Sequence, residues 1–245
     1  MPLPLRNALR DAEYVFIGKV VKRGAATMPQ VPLSAAVTIV EVDDVYRAPS
    51  AMRFLATQPI TVVTRDAKSP RTGQLVVFLA NGWLYGKSIA MLEVAHESLD
   101  FDRARLSEHV MNEDAKAADD ALRERLRLAD VVAAGRVVAT RQLPFNLAGA
   151  SEHSPYWSEA TIETLSFEKG AGGSELRFLY ASSRDIKWLR SPKPSVGEEG
   201  VWLLHRQYVR EVREQALTLL DRLDAQPIAA LERVRAFLPS LSRPR

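Results

Sequence analysis

Two stretches of this 245-residue chain repeat each other. Residues 5–21 read LRNALRDAEYVFIGKVV and residues 122–138 read LRERLRLADVVAAGRVV, at an offset of 122 − 5 = 117 positions. In each stretch, leucines four residues apart lie on one helical face, which predicts a short helix. The β-branched run that follows predicts a strand. A lone glycine inside that run, Gly18 in the first copy and Gly135 in the second, predicts a bulge or a bend.

The repetition continues beyond these stretches, with changes in loop length. Strand candidates of the first half at 34–47, 60–68, 72–82 and 87–94 correspond to 158–170, 176–187, 196–206 and 214–221 of the second half. Further helices are predicted at 101–111, 113–129 and 227–238. Five short strands must close into a small barrel or sandwich to remove their open edges.

The sequence therefore predicts a mainly β fold with flanking helices (α+β), built as two tandem five-stranded OB-like barrels joined by helices. The first predicted domain is 1–112, with an N-terminal and a closing helix. The second is 113–245, with a linker helix and a C-terminal helix. Strand order cannot be read from periodicity, so the barrel topology is an expectation.

Composition narrows the possible classes of protein. The chain has no cysteine, which excludes disulfides, thiol chemistry and cysteine-based zinc sites. It has neither an apolar run of about 18 residues, the length of a membrane span, nor a signal-peptide core at its start. We expect a cytoplasmic protein without a membrane partner, although a secreted protein trimmed of its signal would have the same pattern.

The charge is mildly basic. Lysine and arginine total 33 against 30 acidic residues, a net charge of +3 with a pI near 9.2. A basic pI is typical of nucleic-acid binding, but here the cations are not concentrated in one segment. A mixed-charge solvated surface explains this distribution better.

The repeated strand phrase has the form A-[DE]-x-V-x-x-G-[KR]-V-V at residues 12–21 and 129–138. It resembles the first strand of the netrin and tissue-inhibitor-of-metalloproteinases class of OB barrels. QLVVFLANG (74–82) and EGVWLLHRQ (199–207) are similar to the fourth strand of that class. Those inhibitors dock on the protease metal through an N-terminal cysteine, and this chain has none. The resemblance thus implies a tandem binding barrel and not metalloproteinase inhibition.

No motif predicts catalysis. The four histidines, His96, His109, His153 and His205, show no metal-ligand spacing. There is no G-x-S-x-G elbow, and GAGG at 170–173 is better explained as a hairpin turn than as a phosphate loop. We expect no enzymatic activity, no cofactor and no metal.

Two segments carry candidate binding residues. In the loop after the first strand of the second half, Pro144, Phe145, Tyr156 and Trp157 are aromatic or apolar side chains of the kind that anchor protein interfaces. An equally weighted alternative is that they fold over the barrel mouth and cover its core.

The second segment is RDIKWLRSPKPS (184–195), which interleaves four cations with one aromatic residue. Arg184, Lys187, Arg190 and Lys193 around Trp188 could bind single-stranded nucleic acid by charge and base stacking. The favoured alternative is that Trp188 and Leu189 cap the barrel while the cations face water. We therefore predict a non-catalytic adaptor that binds another protein, with single-stranded nucleic-acid binding through the second barrel as the alternative.

Overall fold

The computed structural model describes residues 3–66, 68–98, 102–144 and 153–241. The chain forms two compact units, Met1–Ala117 and Ala118–Arg245. The division falls inside a long helix, a little after the predicted boundary between residues 112 and 113. Among the described residues, no helix has the length and apolar character needed to cross a bilayer.

The first unit is a five-stranded barrel. Its elements are α1 (Leu3–Asp11), β1 (Tyr14–Arg23), β2 (Val37–Arg47), a 3₁₀ turn (Ser50–Leu55), β3 (Pro59–Val63), β4 (Leu75–Tyr85) and β5 (Ile89–Ser98). The barrel closes in the order β1-β2-β3-β5-β4. The β3–β5 pair is parallel, and the other pairs are antiparallel.

The second unit repeats this connectivity. Its elements are the C-terminal part of α2 (Arg103–Leu128), β6 (Val131–Gln142), β7 (Trp157–Lys169), β8 (Glu175–Ala181), β9 (Glu199–Val209), β10 (Glu214–Leu219), β11 (Ala225–Pro227) and α3 (Leu231–Leu241). The sheet order is β10-β8-β7-β6-β9-β11, and β10 also pairs with β9. Five strands therefore close a ring, and β11 extends it at β9. The predicted β-rich fold of two tandem barrels with flanking helices is confirmed.

Each first strand is buried on both faces. In β1, Tyr14 and Phe16 belong to one core cluster with Phe78, whereas Val15 and Ile17 belong to another with helix residues such as Leu9. Residues of β6 divide in the same way between two clusters of the second unit. Burial of both faces explains why these strands are continuous apolar runs and do not alternate.

The glycine of the repeated phrase lies at a register shift in both barrels. The pairing of β1 with β2 shifts between Ile17 and Gly18, and that of β6 with β7 shifts between Ala134 and Gly135. A Cβ atom on Gly135 would lie 2.6 Å from the carbonyl oxygen of Glu163. The predicted irregularity is confirmed, and the requirement for glycine comes from close approach of the neighbouring strand.

Some element boundaries differ from the prediction. The helices predicted at 101–111 and 113–129 form the single helix α2, because no glycine or proline interrupts the sequence between them. The strands predicted at 60–68 and 176–187 end at Val63 and Ala181, before the polar Arg-Asp sequences that follow. The last helix begins at Leu231, after a short 3₁₀ turn.

Candidate interaction surface of the second unit

The loop between β8 and β9 contains all five nucleic-acid candidates and has a defined local structure. A 3₁₀ turn covers Ile186–Trp188, and Asp185 caps it by accepting a hydrogen bond from the backbone N–H of Lys187 at 2.8 Å. This bond lowers the pKa of the Asp185 carboxyl. The Oγ of Ser183 in turn accepts from the backbone N–H of Asp185 at 3.1 Å. The cap and the turn fix which side chains face solvent.

The indole of Trp188 is held within the chain. Its Nε1 donates to the carbonyl oxygen of His153 at 2.7 Å. The ammonium of Lys187 lies 5.0 Å from the ring centroid, a cation–π distance. One edge and one face of the half-buried ring are therefore already engaged.

All four predicted cations are exposed. Lys193 in addition donates from Nζ to the carbonyl oxygens of Trp188, at 3.0 Å, and Ala181. Burial lowers the pKa of Lys193. The hydrogen bonds of the Lys193 ammonium thus connect the loop to the end of β8.

Two aliphatic side chains are the most exposed apolar groups of this loop, and the expectation that one of them, Leu189, caps the barrel is wrong. Ile186 is 83% exposed and Leu189 is 67% exposed. Side chains three residues apart in a 3₁₀ turn eclipse each other, so these two project from the same side. In the sequence, these two apolar residues alternate with Arg184, Lys187 and Arg190, and that pattern was the signal that could have identified them as a candidate surface.

The aromatic candidates of the β6–β7 loop have different positions. Trp157 is the first residue of β7, is 9% exposed and packs in a core cluster with Leu179 and Val209. Its Nε1 donates to Oε2 of Glu211 at 3.1 Å. This position agrees with the alternative in which the loop covers the core.

The other described members of that set, Tyr156 and Pro144, differ in exposure. Tyr156 is half-buried with a φ of 48°, and Pro144 is exposed. Phe145 lies outside the described residues. The structure therefore gives Trp157 a packing role and leaves Pro144 at the surface.

The two barrels also have clefts of moderate size. The cleft of the first unit has a volume of about 380 Å³ and is lined by residues including Met52, Ile60, Tyr85 and Lys87. The cleft of the second unit, about 410 Å³, contains Arg125, His205 and Asp224, which bind one another. Within the described ranges, no group of three or more histidine, aspartate or glutamate side chains could hold a metal ion.

Comparison of the sequence with protein-family models and with curated proteins finds no match. No relative therefore supplies a function for the loop between β8 and β9.

Proposed function

We propose that the chain is a binding protein whose second unit docks a partner protein through its β8–β9 loop. The docking surface consists of Ile186 and Leu189 with the cations Arg184, Lys187 and Arg190, and is called the Ile186–Leu189 surface below. One observation carries the proposal: two aliphatic side chains project together into solvent from a capped turn with cations around them.

The energetics favour a protein partner of complementary chemistry. Full burial of an isoleucine or leucine side chain stabilises a complex by about 1.5–3 kcal/mol. Exposed cations contribute mainly to the association rate and to orientation. The partner expected from this chemistry has an apolar pocket surrounded by acidic side chains.

Single-stranded nucleic acid remains the alternative, supported by the same cations. It is less favoured because base stacking requires an open aromatic face, and Lys187 covers one face of Trp188. The most exposed apolar groups of this loop, Ile186 and Leu189, are aliphatic and offer no aromatic ring for stacking.

We further propose that both units are OB-fold barrels of the netrin and tissue-inhibitor-of-metalloproteinases class. The barrel closure in the first unit, its recurrence in the second and the repeated first-strand phrase support this assignment. Two barrels in one chain suit an adaptor, because linked sites raise effective concentration. The cytoplasm is the proposed location, and the lack of cysteine is compatible with a reducing compartment.

The experiment compares three proteins as immobilised baits in an extract of the source cells: the wild type, the double variant Ile186→Ser/Leu189→Ser, and the control Leu165→Ser. Leu165 is 63% exposed on β7, so the control removes a similar exposed leucine outside the loop. A protein retained by the wild type and the control but lost from the double variant is then purified. Its dissociation constant is measured by calorimetry, with an expected weakening of about tenfold or more in the double variant.

A parallel titration with labelled single-stranded RNA and DNA across a salt series tests the alternative. Salt-sensitive binding that weakens in Trp188→Ala, with no protein lost selectively from the double variant, would replace the protein proposal with the nucleic-acid one. Equal retention of every protein by all three baits, without nucleic-acid binding, would reject both.

A further inference from the structure

Three side chains of the first unit form a chain of hydrogen bonds. The Oγ of Ser69 lies 2.9 Å from Nε2 of His96, and Nδ1 of the same imidazole lies 2.9 Å from Oε1 of Glu93. In serine hydrolases the same atoms have the same neighbours: the nucleophile on Nε2 and the orienting carboxylate on Nδ1. Such a group is recognised by geometry and not by fold or sequence order.

A β-bulge brings Glu93 and His96 together. In a regular strand, residues three apart point to opposite faces. Here Leu79 pairs with Ala95 and Ala80 pairs with Glu93, so Val94 is the extra residue of β5. The bulge directs the side chains of Glu93 and His96 to the same face of the strand. Bulges next to active sites commonly redirect side chains in this way.

The loop that carries Ser69 is attached to this bulge. Nη1 of Arg65 donates to the carbonyl oxygen of Val94 at 3.0 Å. Within the loop, Oδ1 of Asp66 accepts from the backbone N–H of Lys68 at 2.8 Å. These contacts and the Ser69–His96 hydrogen bond place the hydroxyl beside the imidazole.

The carboxylate of Glu93 is buried, so its contact with His96 differs from an ion pair on the surface. Glu93 is 8% exposed, and its Oε2 has no hydrogen-bond partner among the described residues. The hydrogen bond that Nδ1 of His96 donates to the carboxylate of Glu93 raises the pKa of His96 against the opposing effect of burial, and the charges of Glu97 and Asp66 add to the rise. Ser69 itself is half-buried.

We propose that Ser69 is a nucleophile that accepts acyl groups from esters, with His96 as its general base and Glu93 as the positioning carboxylate. The Oγ of Ser69 bonds to the ester carbonyl carbon while its proton moves to Nε2 of His96. The bond from carbon to the alkoxy oxygen breaks, and His96 returns the proton to the departing alcohol. Water attacks the resulting acyl-serine by the same route and releases the acid. This activity is separate from the Ile186–Leu189 surface, which lies in the other unit.

The backbone N–H groups of the loop that carries Ser69 also limit which esters could be substrates. Its described backbone N–H groups at Lys68, Ser69 and Arg71 are engaged by Asp66 and Gln74, so they do not form an oxyanion hole. Loss of one such donor costs a factor of about 10²–10³ in rate. The expected substrates are therefore activated esters with good leaving groups.

The first test uses diisopropyl fluorophosphate, which forms an Oγ–P bond with an activated serine and releases fluoride and a proton. We expect one adduct per wild-type chain by intact mass, mapped to Ser69 by peptide sequencing. Ser69→Ala should abolish the adduct, and His96→Gln should slow its formation by about 100-fold or more. Ser34→Ala, which removes an exposed serine outside the group, should label like the wild type.

The second test measures the release of p-nitrophenol from p-nitrophenyl acetate against pH. The rate should rise with pH as His96 loses its proton. Glu93→Gln should lower the rate and move the midpoint of the profile to lower pH, because the carboxylate raises the pKa of His96. Circular dichroism checks that each variant is folded. Absence of a wild-type adduct, an adduct that persists in Ser69→Ala, or an unchanged midpoint in folded Glu93→Gln would each overturn the proposal.

Discussion

Arg125 donates hydrogen bonds from Nε and Nη2 to the fully buried carboxylate of Asp224. The Nε–Oδ1 and Nη2–Oδ2 distances are both 2.8 Å. Asp224 also lies 3.1 Å from Nε2 of His205 and accepts from the backbone N–H groups of Leu220 and Asp221. One carboxylate thus connects α2, β9 and the segment after β10.

Removal of the guanidinium from this group should destabilise the second unit. Arg125→Met would leave the carboxylate of Asp224 buried without its main countercharge, a change that costs about 3–5 kcal/mol. Urea unfolding followed by tryptophan fluorescence measures the loss, since Trp157, Trp188 and Trp202 all lie in this unit. The control Arg127→Met removes an exposed pair with Glu124 on the same helix and should leave the midpoint unchanged. Equal effects of the two substitutions would contradict this assignment.

The same carboxylate should give the second unit an acid-sensitive stability. Burial alone would raise the pKa of Asp224, but hydrogen bonds from His205, Asp221 and Arg125 together hold it below the usual value. A depressed folded pKa stabilises the fold above the unfolded pKa of about 3.9 and loses that contribution as pH falls through the folded pKa. The stability difference between the wild type and Asp224→Asn should therefore be full near neutral pH and shrink below about pH 4. A difference that stays constant down to the lowest pH tested would disprove the linkage.

Addition of a methyl group at Gly135 should destabilise the second barrel. The Cβ of Gly135→Ala would lie 2.6 Å from the carbonyl oxygen of Glu163 and 3.1 Å from Cδ1 of Ile162. Overpacking of this kind costs about 1–3 kcal/mol. Gly173→Ala is the control, because its Cβ would meet nothing closer than 3.7 Å. Thermal melting should show a lower midpoint for Gly135→Ala alone, and a matching fall in the control would argue against the close approach as the cause.

Removal of the Trp157 side chain should destabilise the second unit. Trp157→Ala would empty a site packed against Leu179 and Val209 and should cost about 3–5 kcal/mol in unfolding free energy, measured by circular dichroism in urea. Tyr208→Ala removes an exposed aromatic side chain from β9 and should change the unfolding free energy by no more than about 0.5 kcal/mol. A small effect at Trp157 would mean that the side chain packs less closely than its burial indicates.

The fold was predictable because its signal is local and occurs twice. Each copy of the repeated phrase marks a helix followed by a bulged strand, and the bulge at Gly18 and Gly135 is present. The single helix α2 differs from the two helices predicted at 101–111 and 113–129, although no helix-breaking residue lies between those segments. Strand order depends on long-range pairing, which periodicity does not encode.

The functional residues were less predictable, for two physical reasons. Ser69, Glu93 and His96 become neighbours through the extra residue Val94, and an apolar pattern does not reveal a bulge of that kind. In the second unit, Trp188 was the aromatic residue predicted to stack on nucleic-acid bases. Its indole, however, contacts His153 and Lys187, and Ile186 is the most exposed large apolar side chain of the loop.

The close approach of strands at Gly18 and Gly135 limits how far the two repeated halves of the chain can differ in sequence. A side chain at Gly18 would collide with Val40, and one at Gly135 would collide with the backbone of Glu163. A substitution at either glycine would therefore destabilise the barrel that contains it. The connecting loops do not have that constraint, and they differ between the halves: one places Ser69 beside His96 of β5, and the other carries Ile186 and Leu189 among cations.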